Sequence, residues 1–77
     1  MQDSTEDLIL ALKEGAVVAA EHLVGRAVSA VVSWQNGRKT ACTGIVAGFN
    51  ADRSEVYIDT FMGCVSASAQ TLEAEEI

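Results

Sequence analysis

Seventy-seven residues without a proline bound this chain to one small domain over 1–77, because a second core would need roughly 100 residues more. A chain this short hides only about 60% of its unfolded surface on folding and has to lean on disulfides, metal or self-association. The net charge of -6 argues against a generic electrostatic grip on nucleic acid, since phosphate contacts need clustered Lys and Arg.

At 49% hydrophobic the chain is too apolar for a disordered tail. No apolar run approaches the ~20 residues of a bilayer span, and the opening Met1-Gln2-Asp3-Ser4-Thr5-Glu6-Asp7 is acidic where a signal peptide would be basic. The expectation is a soluble, cytoplasmic protein with no membrane partner. In that compartment Cys42 and Cys64 read as thiols. The sequence has no CxxC pattern, and the lone His22 has no partner at ligand spacing, so neither metal nor cofactor is expected. Self-association is the remaining source of stability.

The chain opens on a helix. Ser4 or Asp3 can cap it, Glu6 and Asp7 suit its first turn, and Leu8, Leu12, Ala16, Ala19 and Leu23 recur at helical spacing. Gly15 interrupts this pattern at a cost of about 1 kcal/mol relative to alanine, so the helix either runs over about 5–20 or stops near Glu14. The good helix formers after Gly15 favour the longer version, with Gly25 as its exit.

From Arg26 the period becomes two, with Val28, Ala30, Val32 and Trp34 on one side and Ala27, Ser29, Val31 and Ser33 on the other. Asn36-Gly37 predicts a hairpin with a tight primed turn. The second strand is expected over Arg38 to Phe49, with Gly44 and Gly48 supplying backbone room where it bends. After a polar turn at Asn50 to Ser54, Glu55 to Phe61 reads as a third strand, its Val56, Ile58 and Thr60 opposed to Tyr57, Asp59 and Phe61. Cys64 to Ser68 and Thr71 to Ile77 complete five short strands. Connections this short give an antiparallel meander, and the fold class is mainly β: an N-terminal helix, then a strongly bent five-stranded antiparallel sheet rolled into a small SH3-like barrel over about 26–77.

The segment Gly44, Ile45, Val46, Ala47, Gly48, Phe49, Asn50, Ala51, Asp52, Arg53, Ser54, Glu55, Val56, Tyr57, Ile58, Asp59 resembles, without a gap, the first signature of the Sm-like superfamily. These are the ring-forming RNA-binding proteins that include Sm, LSm and bacterial Hfq. Leu23-Val24-Gly25-Arg26-Ala27-Val28 is similar to the family's helix exit and first strand. The hairpin between the two segments is longer than the family's by a matched extension of both arms, which preserves side-chain facing. The resemblance implies a divergent prokaryotic or phage member, a homo-oligomeric ring of about five to seven subunits, and RNA binding or an RNA-associated scaffold role. A structural or protein-binding ring without nucleic acid is the alternative.

By the same resemblance the RNA site falls on Asn50, Asp52, Arg53 and Ser54 of the loop after strand two and on Gln70 between strands four and five. Asn50 stands where the family has Asp, Asp52 takes the stacking position, Ser54 replaces Asn, and Ala69-Gln70 replaces Arg-Gly. Hfq's lysine-histidine signature is absent. An acid neither stacks on a base nor attracts phosphate, so Arg53, multiplied around a ring, is the cation left to carry attraction. Alternatively it pairs with Asp52 or Glu55. Phe49, Tyr57 and Phe61 are expected in the core or a subunit contact, and Trp34 either in an interface or half-buried on the hairpin. The terminal carboxylates Glu73, Glu75 and Glu76 lie on a strand without a cleft, and no nucleophile-base pair is apparent, so no enzyme is expected.

Overall fold

The computed structural model describes residues 4–75. The first helix, α1, spans Thr5–Lys13, and the Ser4 hydroxyl oxygen caps it by accepting from the Asp7 N–H at 3.1 Å. It ends before the expected boundary near residue 20. Gly15 adopts φ +102°, its N–H donates to the Leu12 carbonyl, and the Ala16 N–H reaches back to the Ala11 carbonyl. This pair of bonds is a Schellman stop, which turns a glycine in the left-handed region into a helix terminator. The chain then starts a second helix, α2, over Val18–Leu23, past the expected end at Ala20.

Breaking the helix lets both pieces face one core. Leu8, Ile9 and Leu12 are buried from α1, and Ala19, Ala20 and Leu23 from α2. Arg26 ties the two helices, its Nε donating to the His22 carbonyl at 3.0 Å and its Nη1 to Thr5 Oγ1 at 3.3 Å.

The strands are β1 (Ala27–Ser33), β2 (Lys39–Phe49), β3 (Glu55–Thr60), β4 (Gly63–Ser68) and β5 (Glu73–Ala74), with a 3₁₀ turn over Ala69–Thr71 before β5. All pairings are antiparallel, in the order β4-β3-β2-β1-β5. The meander therefore holds only through β4, because β5 crosses to pair with β1 through Val28–Ala74 and Ser29–Glu73. Within the described residues β5 is also shorter than the expected Thr71 to Ile77. Thr71 is diverted into the 3₁₀ turn, where its hydroxyl donates to the Ser68 carbonyl at 2.7 Å and accepts from the Val31 N–H at 3.1 Å. Glu76 and Ile77 lie outside the described residues.

The hairpin at Asn36-Gly37 forms, but its turn is not of the primed type. Trp34 N–H bonds to the Arg38 carbonyl and Gly37 N–H to the Trp34 carbonyl, leaving a three-residue loop in which Gly37 has φ +83°. Asn36 keeps negative φ and spends its side chain instead, Oδ1 accepting from the Arg38 N–H at 2.9 Å. This is a type I turn closed by a glycine bulge.

Period-two patterning places the core as expected. Val28, Ala30, Val32, Val56 and Ile58 are buried. Leu23, Val28, Val46, Val56, Ile58 and Leu72 are the largest fully enclosed side chains, each contributing about 1.5–3 kcal/mol by burial. β1 packs against β4 although two strands separate them in the sheet, so the sheet is strongly curled. Among the described residues no ladder joins β4 to β5, so the sheet is open. No described helix is long and apolar enough to cross a membrane.

The two strand glycines differ. A Cβ on Gly44 would collide with the Asp59 carbonyl oxygen and come within 2.8 Å of the Ile58 side chain, whereas one on Gly48 would meet nothing. Gly48 instead follows a register shift after Val46, a bulge that kinks β2 without demanding a bare backbone. Gly44→Ala is expected to cost about 3 kcal/mol in urea unfolding, and Gly48→Ala to stay within about 1 kcal/mol of the parent.

Candidate functional site

Four of the expected residues sit together in the loop joining β2 to β3, and that loop is built from their own side chains. Asn50 Oδ1 accepts from the Glu55 N–H at 3.0 Å, and Asn50 Nδ2 donates to Ser54 Oγ at 3.1 Å. Asp52 Oδ1 accepts twice from Ser54, from the hydroxyl at 2.7 Å and the N–H at 3.0 Å. Backbone bonds from Asn50 N–H to the Glu55 carbonyl and from Arg53 N–H to the Asn50 carbonyl close the base.

Asn and Asp stabilise such a loop because their short side chains reach backbone donors a few residues away. Arg53 takes the left-handed conformation at φ +61°. Its Nη1 donates to the Ala51 carbonyl at 2.7 Å, a local backbone partner rather than the expected Asp52 or Glu55 carboxylate.

The fifth expected residue is brought to the same end of the molecule. The Ala69 N–H donates to the Ser54 carbonyl at 2.9 Å, stitching the 3₁₀ turn that carries Gln70 onto the β2–β3 loop. Gln70 is exposed there, and its N–H donates to Ser68 Oγ. Beside the loop a shallow cleft of about 200 Å³ lies against α2, lined in part by Glu21, Val24, Phe49 and Arg53.

The Asp52 carboxyl is held below the usual carboxylate range, first by the Ser54 hydroxyl and then by the Ser54 N–H, both of which favour the charged form. The centre of the loop is therefore a fixed anion, and its Asn and Ser groups are already hydrogen-bonded to each other.

The aromatic residues separate by environment. Phe49 packs against the core, and Tyr57 is 37% exposed on the outer face of β3. Phe61 does not belong to the core: it stands 95% exposed at the β3–β4 turn, next to Met62 at 69%. Alternation groups Phe61 with Tyr57 and Asp59, and in the structure that face of β3 is the outer one, with Gly63 at φ +116° completing the tight turn.

Sequence reasoning missed a cleft of about 730 Å³ between α1 and the β5 edge, lined by Leu10 and Ala74 among the polar groups of Glu6, Lys13, Glu73 and Glu75. The solvent-facing Leu10 in α1 was its one legible trace. Among the described residues no three His, Cys, Asp or Glu side chains are grouped to hold a metal ion, and both cysteines are free thiols, Cys42 buried and Cys64 exposed.

No family model matches this chain, and neither the curated proteins nor the solved structures give a match to it.

The loop bonds predict a titration. Asp52 should titrate below an ordinary aspartate by carboxyl-carbon NMR, and Ser54→Ala should move it back up toward the usual value near 3.9. Because the folded-state pKa is depressed, the Asp52 contribution to stability is present above the unfolded value and is lost as pH falls through the folded one. Equal midpoints in parent and variant would show that Ser54 does not hold the charge.

Proposed function

We propose that this chain is a self-assembling module of the Sm-like kind, a small curled barrel that joins copies of itself edge to edge through β4 and β5. The observation that carries this reading is the strand order, which leaves β4 and β5 as the two outer strands of an antiparallel sheet. Among the described residues no strand lies beyond either, so their outward backbone donors and acceptors can pair, the β4 of one copy with the β5 of the next. Such a pairing uses different surfaces on the two partners, so repeating it gives a homo-oligomeric ring where the rotation between copies divides a full turn, and an open filament otherwise. The packing of β1 against β4 supports the barrel, because it bends the two outer strands around a common core.

A second reading is favoured by the convergence of the β2–β3 loop with the turn carrying Gln70. In a ring, this end would present one Arg53 per subunit, and RNA association would draw on that ring of guanidinium groups. The scaffold role stands ahead of it. Asn50, Asp52 and Ser54 are spent on one another, and the held Asp52 charge repels phosphate at the point where a base would approach.

Sedimentation at micromolar concentration tests the assembly: the expected result is a discrete species several times the 8.1 kDa chain, and a lone 8.1 kDa species would remove the reading. Ala74→Pro, which takes a donor from β5, is expected to shift the mass toward monomer. Filter binding to homopolymer RNAs at low and moderate salt separates the two roles. Saturable binding that is lost in Arg53→Ala would establish RNA association, and absence of binding at low salt would leave the scaffold.

A further inference from the structure

We infer that the Phe61–Met62 tip of the β3–β4 hairpin is the apolar anchor of this assembly, seating in the cleft between α1 and β5 of the next copy. The inference rests on the edge-to-edge reading and starts from a shortfall in it. Among the described residues β5 is a strand of two residues, Glu73–Ala74. A ladder on so short a strand covers only a small part of the ~1,200–2,000 Å² that a stable protein interface buries. A second contact, continuous with the same two edges, has to supply the rest.

The tip is continuous with β4. Phe61 and Met62 immediately precede Gly63, the first residue of that strand, and are 95% and 69% exposed. A side chain of the size of Phe brings about 150–250 Å² when enclosed. The turn is also rigid: Thr60 Oγ1 donates to the Gly63 carbonyl at 2.8 Å and accepts from the Met62 N–H at 3.1 Å. A braced backbone leaves only the side-chain rotamers of the tip to be ordered on docking.

The cleft is continuous with β5. Its accessible apolar surface comes from Leu10 and Ala74, since Ile9 and Leu72 are already buried, and its volume of about 730 Å³ has room for both tip side chains. Leu10 is 58% exposed, although it belongs to a helix whose other large apolar residues are buried. Direction brings the two together. In an antiparallel pairing the start of β4 meets the far end of the neighbour's β5, past Ala74, where Glu75 forms part of the cleft wall. The tip itself is uncharged, so it meets no like charge among Glu6, Lys13, Glu73 and Glu75 and can lie against Leu10. The same carboxylates disfavour a nucleic-acid occupant.

The test uses the full chain. Phe61→Ser, at an exposed position, should leave the far-UV circular dichroism unchanged and weaken self-association at least tenfold by sedimentation across a dilution series. Leu10→Ser, on the cleft side, should weaken it by a similar factor, and the double variant should lose little more than either single one. A photoreactive phenylalanine analogue at position 61, in a mixture of isotopically light and heavy chains, should cross-link to the α1 peptide of a different copy. A parent that assembles and is dissociated by Ala74→Pro, while Phe61→Ser keeps the parental mass at every dilution, would overturn the anchor and leave edge pairing standing. Cross-links that avoid α1 would do the same. A parent that sediments as a monomer would overturn both.

Discussion

The curl of the sheet depends on an absent side chain. At Gly44 the backbone of β2 approaches the Asp59 carbonyl of β3 so closely that even a methyl group has no space. A side chain there would have to push β2 away from β3, in the middle of an 11-residue strand whose sheet curls far enough for β1 to pack on β4. The register shift after Val46 adds a second bend a short distance along the same strand. Together they enclose Val28, Val46, Val56 and Ile58 in a chain too small to bury them by layering two separate sheets.

Polar chemistry is distributed in the opposite sense to what a binding site needs. The loop between β2 and β3 uses Asn50, Asp52 and Ser54 to hold its own shape. Its cation, Arg53, is fixed onto a carbonyl two residues away. Loop rigidity and ligand recognition draw on the same limited set of donors and acceptors, and here rigidity takes most of them. The apolar features show the reverse arrangement, with Leu10, Phe61 and Met62 left facing solvent while no described polar side-chain atom is buried without a partner. Surface of this kind favours protein contact over recognition of a charged polymer.

Much of the fold was legible because periodicity reports burial directly. Val28, Ala30 and Val32, then Val56 and Ile58, alternate in the sequence as they alternate in the sheet. Gly44 was legible as a place where β2 needs room. The helix break was less so: Ala16, Ala19, Ala20 and Glu21 are good helix formers, and the left-handed conformation of Gly15 separates one long helix from two short ones. Strand five was over-read because Thr71 has strand propensity but a hydroxyl that prefers the Ser68 carbonyl. For the candidate site, the loop and the turn were brought together only by the resemblance to a family. Which of its polar groups would remain available could not be read from sequence, since that depends on distances between side chains four residues apart.

The pairing of β1 with β5 joins Val28 to Ala74 across most of the chain, while every other ladder links neighbouring strands. The hairpins from β1 to β4 are local and can form early, whereas the β1–β5 contact must wait for a long loop to close. During synthesis the outer side of β1 therefore stays uncovered until Ala74 has left the ribosome, and Leu72, fully enclosed in the finished fold, arrives in the same late step. Order of emergence thus makes β5 a latch, and the interval before it closes is when β1 is most open to pairing with the wrong chain.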